Sequence, residues 1–340
     1  MKAIGYYHTG AIKADNALED IQLPMPQATG HDLLIEVNAI AVNPVDTKIR
    51  QRKQPAAGEA QILGWDAVGV VKAVGDKTSL FNVGDEVWYA GDLTRSGTYA
   101  EYQLVDERIV GRKPTSLSMA EAAALPLTTI TAWEMLFDRL GLPQDGSAKD
   151  ARVLVIGAAG GVGSILTQLA AKLTGATVIG TASRPKSQQW VKSLGADVVI
   201  DHSKPISEEL AKVGLNDVTH VCSLTHTEQH FDECIKALKP QGKLALIDDP
   251  AKPLDIMSMK QKSLSLHWEF MYTRSMFSTD DMIAQHHLLT RVAELIDQGK
   301  LQGTMGEHFG EINATNLIKA HQQIESNSSV GKIVLEGFGH

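Results

Sequence analysis

The feature that most constrains the fold is an alternation of short apolar runs with amphipathic segments between residues 152 and 247. The apolar runs have strand length, and the segments between them repeat apolar residues at helical spacing. The predicted strands are Arg152–Ile156, Thr177–Thr181, Asp197–Ile200, Val218–Cys222 and Lys243–Ile247, and the predicted helices are Gly161–Leu173, Pro185–Leu194 and Thr227–Leu238. Strands joined through helices form a parallel sheet with helices on both faces. This part of the chain is therefore predicted to adopt a doubly wound α/β fold.

The segments on either side have a different pattern. Short strands such as Ile35–Val42 and Ala67–Val74, separated by turns, predict a small barrel or sandwich. Ser118 and Glu121 have the spacing of a capping box and predict a helix start. After a predicted strand at 263–270, helices are expected at 278–298 and 313–325, followed by a strand at 331–335.

Composition excludes several classes of protein. The 340 residues carry a formal net charge of −8, which argues against a nucleic-acid-binding or anionic-membrane surface. The two cysteines, Cys222 and Cys234, cannot form a disulfide framework or a zinc site with three or four thiolates. Neither an apolar run long enough to span a bilayer nor a secretory signal is evident, and a cytoplasmic location is expected.

The segment Val153–Ser164 contains the clearest binding motif, a glycine-rich loop between a predicted strand and a predicted helix. Ala158, Gly160 and Gly163 occupy the three small-residue positions of the dinucleotide-binding fingerprint. Amides at the start of the next helix, at Gly161 and Val162, are expected to face the cofactor pyrophosphate. The strand before the loop and the helix after it favour a cofactor site over a structural turn.

The end of the second strand indicates which dinucleotide is bound. An acidic residue there would hold the ribose hydroxyl of NAD, but this chain has Thr-Ala-Ser-Arg-Pro at 181–185. Ser183 can donate a hydrogen bond and Arg184 can bind a phosphate in a bidentate manner, which predicts NADPH. In the alternative interpretation Ser183 caps the following helix and Arg184 is solvated, with Pro185 at the first helical position.

Motifs along the whole chain resemble those of the medium-chain dehydrogenase/reductase superfamily, and most closely its zinc-independent, zeta-crystallin-like quinone oxidoreductase branch. The matching stretches are Val42–Asp46, Gly64–Gly69 with Gly75, Gly84–Val87, Ala122–Trp133, Gly157–Gly163 and Gly331–Leu335. The resemblance implies a GroES-like β-barrel catalytic domain from residues 1–127 and 272–340, and an inserted Rossmann NADPH-binding domain at 128–271. It also implies an active site in the cleft between the domains and a homodimer.

The resemblance includes one informative departure. Zinc-dependent relatives bind a catalytic zinc through a cysteine and the histidine of a Gly-His-Glu motif, and the corresponding positions here are Asn43, Trp65 and Asp66. An indole has no lone pair to give to a metal. No metal is therefore expected. The rival arrangement of His220, Cys222, His226 and His230 is assigned to capping, cofactor contact or solvated side chains rather than to a metal.

The resemblance also implies a function and further site residues. The expected activity is NADPH-dependent hydride delivery to a quinone or an α,β-unsaturated carbonyl, with Asn43, Lys48 and Thr129 as candidate catalytic residues. The additional expected cofactor neighbours are Asp46, His202, Thr225, His226, Phe270 and Met271. Lys48 has a solvated surface charge as its alternative, and Trp65 either lines the acceptor pocket or packs in the core. Two other functions stay open: a 2-alkenal or enoyl reductase of the same fold, and a non-catalytic, crystallin-like NADPH-binding protein.

Overall fold

The computed structural model describes residues 1–13 and 16–339, which divide into two compact units. Residues 1–130 and 272–340 form the first, called here the discontinuous unit, and residues 131–271 form the second, called the parallel-sheet unit. Within these described residues, none of the helices is both long and apolar enough to cross a membrane.

The discontinuous unit is mainly β-structure. Its strands are β1 (Lys2–Tyr6), β2 (Glu19–Gln22), β3 (Asp32–Val42), β4 (Gln61–Ile62), β5 (Asp66–Val74), β6 (Glu86–Tyr89), β7 (Tyr102–Asp106), β8 (Val110–Arg112), β15 (Met305–His308) and β16 (Lys332–Glu336). Its helices are α1 (Pro44–Arg52), α2 (Met119–Ala123), α8 (Thr273–Met276), α9 (Ala284–Asp297) and α10 (Ala314–Glu325), and α3 (Pro126–Trp133) crosses into the second unit.

Two sheets organise this unit. One has the order β2-β1-β4, and the larger has the order β15-β16-β3-β5-β6-β8, with β7 also paired to β3. Strand β16, from the C-terminal part of the chain, pairs antiparallel with β3 from the N-terminal part, with Val334 opposite Ala41. Irregularities in the β3–β5 register increase the local twist that a curved sheet needs. This is the GroES-like domain predicted from the sequence.

The parallel-sheet unit alternates strands with helices, as the sequence predicts. Its strands are β9 (Arg152–Ile156), β10 (Thr177–Thr181), β11 (Val198–Ile200), β12 (Val218–Ser223), β13 (Leu238–Leu246) and β14 (Ser265–Trp268). Its helices are α4 (Gly161–Leu169), α5 (Pro185–Ser193), α6 (Ile206–Lys212) and α7 (Thr227–Ala237). The strand order in the sheet is β11-β10-β9-β12-β13-β14, and every neighbouring pair is parallel. Successive strands are added on one side of β9 up to β11 and on its other side from β12 onward, which makes the unit Rossmann-like.

Burial explains why these strands are so apolar. Val153, Leu154, Val155 and Ile156 of β9 are all fully buried, as expected for a central parallel strand covered on both faces. Leu154 and Ile156 pack in a core that also contains Phe231 of α7. Burial of each large apolar side chain contributes about 1.5–3 kcal/mol to the stability of the folded state. The buried sheet therefore holds the loops at its edges in fixed positions.

Several boundaries differ from the sequence prediction. The predicted helix at 278–298 begins later, as α9 at Ala284, because Ser278 has left-handed backbone with φ 45° and the backbone N–H groups of Met282 and Ala284 donate to the carbonyls three residues before them. Leu238, the predicted end of α7, is the first residue of β13. The helical segment after α3 continues as a π-helical turn at Glu134–Arg139, a form common at functional sites. The capping box is confirmed: Glu121 donates its backbone N–H to Ser118 Oγ, and Ser118 donates its own to Glu121 Oε2.

Candidate functional site

The glycine-rich loop lies between β9 and α4, in the strand–loop–helix context predicted for it. Gly157, which the sequence analysis did not select, has left-handed backbone with φ 81° directly after the strand, and its N–H donates to Thr181 Oγ1. A Cβ on Gly163 would come within 2.4 Å of the Gly157 carbonyl oxygen and within 2.6 Å of Ala158 Cα. This position therefore has to be glycine for the helix to pack against the loop.

Gly160 has a different requirement. It is the N-cap residue of α4, and a Cβ there would meet its nearest neighbour, the Gly157 oxygen, at 3.5 Å, an ordinary contact. The fold therefore leaves space at Gly160 that a side chain would fill. Gly161 and Val162 form the first turn of α4, where backbone N–H groups have no partner within the helix. These features fit the pyrophosphate of a dinucleotide.

Ser183 and Arg184 follow β10 and are exposed. Arg184, not Ser183, is the N-cap residue of α5, and Pro185 takes the first helical position. Ser183 therefore does not cap this helix, whereas the exposure of Arg184 and the position of Pro185 agree with the rest of the alternative interpretation. No acidic side chain occurs between Ala182 and Ser187, so this strand end suits a ribose that carries a phosphate.

The remaining predicted cofactor neighbours in this unit follow other strands. His202 is half-buried and lies two residues after β11, and Thr225 and His226 follow β12. Thr225 lies against the glycine loop, since a Cβ on Gly157 would be 2.9 Å from its methyl carbon. Phe270 and Met271 come after β14, the first about half exposed and the second buried. Their contacts with a cofactor stay a prediction.

A buried acidic pair, not anticipated from the sequence, precedes Phe270. Glu134 of the π-helical turn and Glu269 are both buried, and Arg139 Nε donates to Glu269 Oε2 at 2.8 Å. Burial raises the pKa of Glu269 strongly, the Glu134 carboxylate raises it further, and Arg139 opposes both effects. The pKa of Glu269 is thus raised to about 9, with the Arg139 guanidinium beside its carboxyl group.

In the discontinuous unit, a hydrogen-bond network surrounds Asn43. Its Nδ2 donates to Asp66 Oδ2 at 2.8 Å, and its Oδ1 accepts from Lys332 Nζ. Lys332 also donates to the Val42 carbonyl at 3.1 Å and lies 3.2 Å from Asp66 Oδ2. Both ends of the Asn43 amide are thus fixed, and the side chain is 1% exposed. Asn43 as a hydrogen-bond donor to substrate stays a prediction.

Asp46 lies one turn into α1 and is fully buried. Its Oδ2 accepts from the Asn43 backbone N–H at 2.7 Å and from the Tyr99 hydroxyl at 3.0 Å. Burial raises the pKa of Asp46 to about 7, although these hydrogen bonds and Lys332 act in the opposite direction. Asp46 can therefore lose or gain a proton near neutral pH.

The other two predicted catalytic residues differ in environment. Lys48 is half-buried on α1. Thr129 on α3 is fully buried, and its Oγ1 has no hydrogen-bond partner among the residues that the structure describes. A buried hydroxyl without a protein partner is able to bind a ligand or a water. Trp65 is fully buried, donates to the Asp92 carbonyl and packs edge-on against Tyr272, as core packing requires.

These side chains do not fit a zinc ion. Asn43 is held through both ends of its amide, Trp65 has no lone pair, and Asp66 faces the ammonium group of Lys332. Cys222 and Cys234 are buried in the parallel-sheet unit, where burial strongly raises the pKa of both thiols. Among residues 1–13 and 16–339, no group of three or more His, Cys, Asp or Glu side chains is placed to hold a metal.

Two family descriptions match the chain. Residues 29–115 match the alcohol dehydrogenase GroES-like domain, and residues 161–285 match the zinc-binding dehydrogenase family. A zinc-type alcohol dehydrogenase-like protein of Staphylococcus epidermidis is 39% identical, over 98% of this chain and 99% of that protein. The 2-methylene-furan-3-one reductase of Solanum lycopersicum is 38% identical, over 98% of this chain and 79% of that protein.

Solved structures of proteins from the same superfamily are also similar to this chain. A putative zinc-dependent alcohol dehydrogenase from Rhizobium etli has a TM-score of 0.95 and 51% identity, covering 100% of this chain and 99% of that one. A quinone oxidoreductase from Pseudomonas syringae has a TM-score of 0.82 and 25% identity, and the match covers 98% of this chain and 99% of that one. A mycobacterial protein complexed with NADPH has a TM-score of 0.83 and 27% identity, covering 99% and 100%. The chain belongs to the medium-chain dehydrogenase/reductase superfamily, in its quinone oxidoreductase branch, and is an oxidoreductase.

Proposed function

We propose that this oxidoreductase uses NADPH, without zinc, to deliver hydride to a quinone or an α,β-unsaturated carbonyl. The observation that carries the proposal is the edge of the parallel sheet. There, the glycine-rich loop between β9 and α4 leaves space at Gly160. The neighbouring strand β10 is followed by Ser183 and Arg184, and no carboxylate side chain lies between Ala182 and Ser187. This chemistry suits a dinucleotide whose ribose carries a 2′-phosphate.

The chain's own residues divide the task of holding the cofactor. The amides of Gly161 and Val162 bind the pyrophosphate, Ser183 and Arg184 bind the 2′-phosphate, and Thr225 lies against the loop. The mycobacterial relative was solved with NADPH, which supports this assignment. When bound, NADPH supplies the hydride that the acceptor takes up.

A conjugated acceptor needs no metal, because the negative charge that develops on its oxygen can be met by hydrogen-bond donors. Lys48 and the unsatisfied hydroxyl of Thr129 are the donors we propose for this oxygen. Asn43 contributes as a positioned amide in the same unit. The tomato relative supports this class of acceptor, since a 2-methylene-furan-3-one carries a carbon–carbon double bond conjugated with a ketone.

The test is NADPH oxidation by the purified, chelator-treated protein with a panel of acceptors. The panel contains a quinone, an α,β-unsaturated ketone, a 2-alkenal and a saturated ketone, and NADP+ with a primary alcohol tests the reverse chemistry. We expect turnover with the conjugated acceptors and none with the saturated ketone or the alcohol. If no acceptor oxidises bound NADPH, the proposed activity is wrong and a non-catalytic NADPH-binding role takes its place.

A further inference from the structure

Basic side chains collect at the carboxyl edge of the parallel sheet, near the end of β10. Arg184 precedes α5, His202 follows β11, and His226 precedes α7 with left-handed backbone at φ 49°. His230 lies one turn further along α7. The rings of His202 and His230 meet edge to face, with centroids 5.7 Å apart and planes at 83°. The sequence alone places His230 in no definite site.

The surroundings of His202 and His230 lower the pKa of both imidazole rings. Burial lowers the pKa of His202, Asp201 opposes this, and the neighbouring His226 and Arg184 lower it further. Burial also lowers the pKa of His230, with further lowering by His202 and His226, and Asp248 opposes it. Like charges placed this close disfavour protonation of either ring in the free protein.

The two carboxylates near the pair have other partners. Asp201 Oδ1 accepts from the backbone N–H and the hydroxyl of Ser203, and its Oδ2 lies 3.6 Å from Lys204 Nζ. Asp248 accepts from the backbone N–H and the hydroxyl of Thr227. His202 Nδ1, in contrast, is a buried nitrogen without a hydrogen-bond partner within the described part of the chain. An anion placed here would give His202 Nδ1 the partner that the described residues do not supply.

We propose that His202 and His230 complete the 2′-phosphate site with Arg184, and that binding of NADPH is coupled to proton uptake from solvent by this histidine pair. The inference rests on the proposed function, because it deepens the same cofactor site. A phosphate monoester carries nearly two negative charges at pH 7, and Arg184 supplies one positive charge. A protonated imidazole supplies the second and becomes a donor to the phosphate oxygens.

Proton uptake has a measurable signature. Phosphate binding should raise the protonated fraction of the pair, so about half a proton is taken up per NADP+ bound at pH 7. The dissociation constant for NADP+ should then fall about threefold for each unit of falling pH between 8 and 7. NAD+ lacks the phosphate, and its affinity should not depend on pH in this range.

Isothermal titration calorimetry in two buffers of different ionisation enthalpy measures this proton uptake directly. NADP+ and NAD+ are each titrated into the wild type, the His202→Gln/His230→Gln double variant and Arg184→Ala. His8→Gln, an exposed histidine of the discontinuous unit, is the matched control. We expect uptake with NADP+ only, loss of uptake in the double variant, and unchanged uptake in His8→Gln. Unchanged NAD+ affinity shows that the double variant is folded.

Two results would overturn the inference, and they are distinguishable. If NADP+ binds tightly through Arg184 but takes up no proton, or the double variant retains the uptake, the histidine site is wrong and the proposed cofactor stands. If NADP+ binds no better than NAD+ and Arg184→Ala changes neither affinity, the cofactor proposal fails, and this inference fails with it.

Discussion

The ammonium nitrogen of Lys332 lies 3.2 Å from Oδ2 of Asp66, and both side chains are buried in the discontinuous unit. Asp66 also accepts from Asn43 Nδ2 and from the Leu127 backbone N–H at 2.7 Å. Burial raises the pKa of Asp66, while Lys332 and these hydrogen bonds lower it. Lys332 thus lies beside both the Asp66 carboxylate and the Asn43 amide.

The first prediction concerns this ion pair. Lys332→Met should destabilise the protein by about 3–5 kcal/mol, because it leaves Asp66 buried without its counter-charge. Lys332→Met combined with Asp66→Asn should recover a large part of that loss, since the uncompensated charge is then gone. Urea unfolding measures both variants. A single variant as stable as the wild type would contradict the account.

The second prediction separates the two functions of glycine in the loop. Gly160→Ala should leave the thermal midpoint unchanged but weaken binding of both NADPH and NADH by about tenfold or more, because its methyl group occupies the pyrophosphate space. Gly163→Ala should instead destabilise the protein by about 1–3 kcal/mol, because its Cβ would collide with the loop backbone. Calorimetry and cofactor titration compare the two, and Gly160→Ala with full cofactor affinity would disprove the placement of the pyrophosphate.

The third prediction concerns the choice of cofactor. Arg184→Ala should raise the dissociation constant for NADPH by about 10- to 100-fold, the value of one charge-assisted contact, and leave that for NADH unchanged. Arg291→Ala, which removes an exposed arginine of α9, is the matched control and should change neither constant. Equal weakening of both cofactors by Arg184→Ala would remove the basis for assigning the phosphate to this strand end.

The fourth prediction follows from the raised pKa of Glu269. The folded protein keeps a proton on Glu269 that the unfolded chain releases, so the folded state binds more protons at neutral pH. Stability should therefore fall as pH rises above the ordinary glutamate pKa, and continue to fall until Glu269 ionises in the folded state. Glu269→Gln should flatten this slope and retain the acceptor for Arg139.

Calorimetric midpoints between pH 5 and 9 measure this slope. Glu208→Gln, at an exposed glutamate of α6, is the matched control and should keep the wild-type slope. A Glu269→Gln variant with the same pH dependence as the wild type would show that Glu269 is ionised in the folded protein.

Local pattern was enough to predict the parallel sheet, the glycine loop and the Ser118–Glu121 cap. Each depends on residues close together in sequence: β9 is continuously apolar, and the loop follows it directly. The helix α1 was not predicted, because its buried residues are Asp46, Thr47 and Arg50 rather than an apolar stripe. Polar burial of this kind leaves no hydrophobic periodicity to detect.

Contacts between distant residues were also beyond the sequence analysis. Lys332 is 289 positions from Asn43, whose amide it holds, and Glu269 is 130 positions from Arg139. Lys332 and Glu269, each taken alone, are ordinary charged side chains. Only the fold places Lys332 beside the buried Asn43 amide and Glu269 beside Arg139, where burial raises the pKa of Glu269.

The most direct test of the central claim is where hydride arrives. Chelator-treated protein is incubated with NADPH deuterated at the transferred position and an α,β-unsaturated ketone, and the product is examined by mass spectrometry and NMR. We expect a saturated ketone with deuterium at the β-carbon and the same rate before and after chelation. An allylic alcohol with deuterium on the carbinol carbon, formed only when zinc is restored, would contradict it.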